Sequence, residues 1–124
     1  MNTNGLKSKK LAAAVAEKQG CEWQWDTNAS PVPCWFKDAE LFSSVPGYRP
    51  DIDIAQAWEL DGEGWLWSSI EGVGGVRMTV SINGALPAPF GCARWADHST
   101  KAGAYATARC RAFLMVKEGI HNDA

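Results

Sequence analysis

Three groups of residues carry side chains with the chemistry of an active site. Asp97, His98 and Ser99 hold the residue types of a hydrolytic triad. A triad needs nucleophile, base and orienting acid converging from separate segments, so three consecutive residues read instead as a polar turn capping the helix that follows. Asp51 and Asp53 can chelate a divalent cation beside a phosphate, but hard cations need more oxygen ligands, and only Asp26 and Asp61 stand out as further donors. Capping the backbone N–H groups of a short helix is the plainer role for the pair. Gly72, Gly74 and Gly75 form a glycine-rich loop that leads into a strand. Phosphate cradles lead into a helix N-terminus, so a hairpin turn needing positive φ is expected.

The cysteines and histidines add no metal pattern. Cys21, Cys34, Cys92 and Cys110 form no C-x-x-C pair, and His98 and His121 are not spaced with them as zinc ligands. Their even count allows two disulfides. Buried free thiols acting as small hydrophobes are the preferred reading, because a domain of 124 residues can bury enough surface without staples. No catalytic residue, metal or cofactor is therefore expected.

Contact chemistry is richer. Seven tryptophans are many for this length, and each buried indole N–H needs a partner. Trp65 and Trp67 share one strand face, as do Trp23 and Trp25, with Arg77 and Arg94 near the first pair in sequence. Such faces serve as core under a helix, as anchors for a protein partner, or as stacking platforms for bases. Lys101, Tyr105 and Arg109 recur at four-residue spacing along one helix flank, while Arg111 points elsewhere. This stripe reads either as a solvated face or as a contact for an acidic partner. The candidate binding surface is thus Trp65, Trp67, Arg77, Arg94, Lys101, Tyr105 and Arg109.

The elements that position these residues follow from periodicity. Residues 6–19 read as a helix, with Leu6, Leu11, Ala14 and Val15 on one side and Gly20 after its end. Cys21, Trp23 and Trp25 alternate with polar residues as a short strand, and Cys34-Trp35-Phe36 reads as another. Residues 26–34 and 43–50 read as loops. A short helix starts near Asp51 or Asp53 and ends at Asp61-Gly62-Glu63-Gly64. Strands at 65–70 and 76–82 form a hairpin, the second alternating Val76, Met78, Val80 and Ile82 with Arg77, Thr79 and Ser81. Asn83-Gly84 is a turn signal, Pro87 and Pro89 break the pattern, and 90–95 reads as an edge strand. A last helix over 100–117 is capped by Ser99, buries Ala102, Ala106, Cys110, Phe113 and Leu114, and ends at Gly119.

The order implies an α+β domain: an antiparallel sheet of three to five strands packed with three helices in a layered sandwich. One domain is expected over 1–124, its core about 6–118 and its termini flexible. The net charge of −2 argues against a general phosphate-backbone binder, though not against a local basic patch. Lys7, Lys9 and Lys10 before Leu-Ala-Ala-Ala-Val-Ala superficially mimic a signal peptide, but the apolar run is short, Ala-rich and followed by Glu17 and Lys18. With no run near the ~18 apolar residues of a membrane span, a cytoplasmic location is expected.

Four stretches resemble the phage ABA sandwich family, small domains of bacteriophages and prophages. They are Asp53-Ile54-Ala55-Gln56-Ala57-Trp58-Glu59, Gly64-Trp65, Ala108-Arg109-Cys110-Arg111-Ala112, and residues 12–18. The likeness runs from about residue 8 to 117. One departure is the Asp-Gly-Glu-Gly stretch, which cuts the middle helix shorter than the family's. The resemblance implies a non-catalytic phage or prophage accessory protein that binds a host protein or complex, with counter-defence of the anti-CRISPR type as one role. A small-ligand or nucleotide binder is the alternative, an enzyme fits the residues least, and an edge strand or Trp face permits a homodimer.

Overall fold

The computed structural model describes residues 8–26, 32–84 and 88–118. Leu6, Pro87, Gly119 and His121 lie outside them, as do both ends of the chain and most of the loop expected over 26–34. The architecture is α+β, with three helices and two three-stranded antiparallel sheets.

Helix α1 is Ser8–Lys18, and Gly20 follows its end at φ +91°, a conformation that glycine adopts without a Cβ clash. Strands β1 (Glu22–Asp26), β2 (Val32–Lys37) and β3 (Glu40–Ser44) form the first sheet in that order. Here β3 occupies residues with no clear strand pattern and takes in the start of the loop expected at 43–50. Asp38 and Ala39 between β2 and β3 have φ of 53° and 66°, so the tight turn is made by residues without glycine's freedom. That composition hid the hairpin from the sequence.

Helix α2 is Ile54–Trp58. Asp53 is its N-cap, its Oδ1 accepting from the amides of Ala55 at 2.9 Å and Gln56 at 3.2 Å. Asp51 does different work. It is buried and paired through both oxygens with Arg49, each contact 2.8 Å. Its carbonyl also accepts from the Thr107 hydroxyl at 2.7 Å, which ties the turn before α2 to the last helix.

The second sheet is β4 (Trp65–Glu71), β5 (Gly75–Ile82) and β6 (Phe90–Arg94) in order. The β4–β5 hairpin was legible, but not through the geometry expected: none of Gly72, Gly74 and Gly75 takes a left-handed φ. A single 3-10 turn, Trp95–Asp97, leads to helix α3 (Lys101–Glu118). Thr100 rather than Ser99 caps it, accepting from the Gly103 amide at 3.0 Å.

The centre of the molecule is α3, which contacts α1, α2, β5 and β6. With neighbours on several sides it is buried over most of its circumference, although Ala102, expected in its apolar stripe, is exposed. Val76 and Met78 of β5 and Ala93 of β6 pack on Ala104 and Ala108. Gly91 lets α3 lie close, since a Cβ there would collide with the Ala108 carbonyl and the Ala112 amide. The other cluster joins Leu11 and Val15 of α1, Trp35 of β2, Tyr48 and Leu60 to Cys110, Phe113 and Leu114 of α3. All four cysteines are free thiols, three of them buried. No helix among the described residues is long and apolar enough to cross a membrane.

Candidate functional site: an arginine-lined hollow beside a structural seam

Strand alternation divides the second sheet into two faces. Val76, Met78, Val80 and Ala93 look inward to α3. Arg77 faces outward, flanked by its register partners Ile70 on β4 and Cys92 on β6.

Five of the seven residues singled out from the sequence lie on the inner side, where α3 runs beneath β4. Lys101 Nζ is 2.9 Å from Glu71 Oε1, and the Tyr105 hydroxyl donates to the same oxygen. Arg109 stacks on Trp67 with its guanidinium carbon 3.8 Å from the ring centroid, and Phe113 packs on Trp65 at 6.1 Å. Residues 101, 105, 109 and 113 thus meet β4 along one line. The four-residue stripe exists, but it faces a strand.

Arg109 is the main correction to the expected surface. It is 4% exposed, not part of a solvated or partner-facing flank. It donates to the carbonyls of Ala57 at 2.8 Å, Trp58 at 3.3 Å and Leu60 at 2.8 Å, and Trp58 covers its other face at 4.6 Å. These carbonyls lie at and just beyond the end of α2, where a cation is favoured; the Ala57 carbonyl also accepts from the Leu60 amide at 3.1 Å. Burial pulls its pKa down, partly opposed by Asp61, yet an arginine stays charged at neutral pH. Trp65 and Trp67 are part-buried core residues. The Trp67 Nε1 has no hydrogen-bond partner among the described residues.

The remaining two residues, Arg77 and Arg94, do come together. They line an open hollow of about 780 Å³ with Ile70, Gly72, Gly74, Gly75, Cys92, Asp97 and Arg111. Each arginine comes from a different element. Arg77 rises from β5 and lies over the Phe90 ring, 4.3 Å from its centroid. Arg94 ends β6 and sits 3.6 Å from Asp97, both side chains well exposed. Arg111 reaches from α3 to the outer edge of β6 and donates from Nη1 to the Cys92 carbonyl at 2.6 Å. Burial lowers its pKa, with Asp97 acting in the opposite direction.

Among the described lining residues, three guanidinium groups against one carboxylate make the hollow cationic. Arginine's planar fork suits carboxylate or phosphoryl oxygens, and Ile70 and the glycine backbone provide a less polar wall. Arg111 was missed from the sequence. Its i+2 spacing from Arg109 said only that the two point apart, and nothing local showed that it would turn toward β6.

The triad-like run stays a turn. The Asp97 carboxylate faces Arg94, the His98 amide bonds to the Trp95 carbonyl at 3.2 Å, and burial lowers the His98 pKa. Among the described residues no three His, Cys, Asp or Glu side chains gather in a way that can hold a metal ion. No family model, curated protein or solved structure matches this chain.

Proposed function

We propose that this is a non-catalytic binding protein that engages an acidic surface of another macromolecule through Arg77, Arg94 and Arg111. In the phage or prophage setting implied by the resemblance, the partner is a host protein or complex in the bacterial cytoplasm. The role is then accessory, as in counter-defence inhibition of the anti-CRISPR type. The observation that carries the binding reading is the convergence of three arginines from β5, β6 and α3 on one open hollow. By contrast, Arg109 is already spent on three internal carbonyls.

The test compares pull-downs from a bacterial host extract using wild type and the Arg77→Ser/Arg94→Ser double variant. The proposal expects one protein or complex captured by wild type, lost from the double variant, and released as salt rises. Equal capture by both proteins sinks it, as does failure of wild type to capture anything at low salt.

A second reading has its own observation. The hollow's volume, about 780 Å³, matches the size of small-ligand sites. A nucleotide or other small anion with an apolar part suits its composition. A thermal-shift panel distinguishes this case, since a ligand at 100 times its Kd adds about 2.7 kcal/mol. A nucleic-acid partner is disfavoured by the net charge of −2 and the confinement of the basic group to one hollow.

A further inference from the structure

Among the described residues, β4 pairs only with β5, so its other side is a sheet edge. The two bonds flanking the hairpin ladder show which groups face that edge. The Gly72 amide donates to the Gly75 carbonyl, and the Asn83 amide to the Gly64 carbonyl. Hydrogen-bonded pairs recur every second residue in an antiparallel ladder. Leu66, Ser68 and Ile70 therefore aim their backbone groups at β5, while Trp67, Ser69 and Glu71 aim theirs outward.

This edge lacks the devices that usually prevent strands from joining. Its sequence, Trp-Leu-Trp-Ser-Ser-Ile-Glu, has no proline, lysine or arginine. On the outer face Leu66 is 72% and Ile70 66% exposed. The opposite edge of the same sheet is guarded, because Arg111 already occupies the Cys92 carbonyl of β6.

We infer that β4 is a self-association edge, pairing antiparallel with β4 of a second copy about a two-fold axis at Ser68. The register is self-complementary. It sets Trp67 opposite Ser69 of the other copy, so the outward backbone groups meet as hydrogen-bonded pairs. It sets Leu66 opposite Ile70 in the closely spaced positions between them, which covers both exposed apolar side chains. It also sets Trp65 opposite Glu71. Lys117 lies 5.8 Å over the Trp65 ring, so a cation waits beside the incoming carboxylate. In Glu71 both Lys101 and Tyr105 engage Oε1. Slipping the register by one residue, which moves the axis to a point between two residues, would oppose outward with inward groups and break the ladder. An axis on Trp67 or Ser69 would keep the ladder but part Leu66 from Ile70.

Sedimentation velocity over a concentration series, combined with amide hydrogen exchange, tests this. Wild type is expected to dimerise, with the amides of Trp67, Ser69 and Glu71 gaining protection as concentration rises. Those of Leu66, Ser68 and Ile70 should be protected throughout. Ser69→Pro removes one outward donor, and Leu66→Lys removes one apolar contact. Each should yield monomer with an unchanged far-ultraviolet circular dichroism spectrum, whereas Val73→Lys at the exposed hairpin tip should leave the dimer intact. If Ser69→Pro fails to fold, Leu66→Lys and the exchange pattern still decide. A wild type that stays monomeric at every concentration overturns the inference, as does a dimer indifferent to Leu66→Lys. Protection that appears only when host extract is added also overturns it, assigning the edge to a strand of another protein. The Arg77→Ser/Arg94→Ser variant should dimerise normally, so failure of the hollow's binding role and failure of this edge are separable.

Discussion

The seam beneath β4 and the hollow beside β6 are both built from arginine, aromatic rings and strand backbone, yet they do opposite things. In the seam, Arg109 is enclosed by Trp58 and Trp67 and bonded to three carbonyls. In the hollow, Arg77 and Arg94 are exposed and Arg111 is only half-buried. Arg109 and Arg111 are two residues apart on one helix, so the difference owes nothing to residue type. It comes from what each flank of α3 meets: the carbonyl end of α2 on one side, the edge of β6 on the other. A buried arginine among internal acceptors is a fastener, and the exposed Arg77 and Arg94 on an open hollow can still meet acceptors from outside.

Breaking the seam should produce the largest effect. Arg109→Met takes the guanidinium donor from the Trp58 and Leu60 carbonyls, while the Ala57 carbonyl keeps the Leu60 amide at 3.1 Å. A loss of about 3 kcal/mol is expected at ~1–3 kcal/mol per unsatisfied group, measurable by urea unfolding. A loss below a quarter of that would mean water replaces the guanidinium and the seam is not a fastener.

Gly91→Ala comes next, since it pushes α3 away from β6 and disturbs the support of both regions. Overpacking of this kind costs about 1–3 kcal/mol. An unchanged midpoint would show that the helix can shift freely, contrary to the close contact at Ala108 and Ala112.

The hollow should respond in the reverse sense. Arg77→Ser/Arg94→Ser is expected to alter stability by no more than about 0.5 kcal/mol, as for exposed positions generally, while abolishing partner capture. A large stability loss would erase the contrast between the two regions.

The smallest effect is a pH dependence at the far end of the seam. Bonds from Tyr105 and then Lys101 hold the Glu71 carboxyl below its ordinary 4.5. A carboxylate with a lowered folded pKa contributes stability above its unfolded value and loses it as pH falls through the folded one. Thermal midpoints of wild type and Glu71→Gln should therefore differ at neutral pH and converge in acid below pH 4.5. Parallel curves across that range would show that the contact does not form in solution.

Much of the skeleton was legible in the residues themselves. Alternation from Val76 to Ile82 gave β5 and its inward face, and Asp53 ahead of Ile-Ala-Gln-Ala-Trp gave the start of α2. These are local signals, carried by side-chain period and by backbone groups within a few residues. The hairpin turn at Asp38-Ala39 left only a weak signal: aspartate tolerates the left-handed angle, but alanine stands at 39 where a glycine would have marked the turn.

The site was harder to read for a related reason. The sequence determined that Lys101, Tyr105 and Arg109 share a flank, that Arg77 lies opposite Val76 and Met78, and that Asp53 caps α2, but not that Asp51 is buried against Arg49 or that Thr100 takes the cap expected of Ser99. Only the tertiary structure decided that the flank lies under β4 and that Arg111 joins Arg77 and Arg94. Helical and strand periods fix which side chains share a direction. What waits in that direction depends on pairings such as Arg77 with Cys92 and Arg109 with the end of α2, made across 15 and 52 residues of chain.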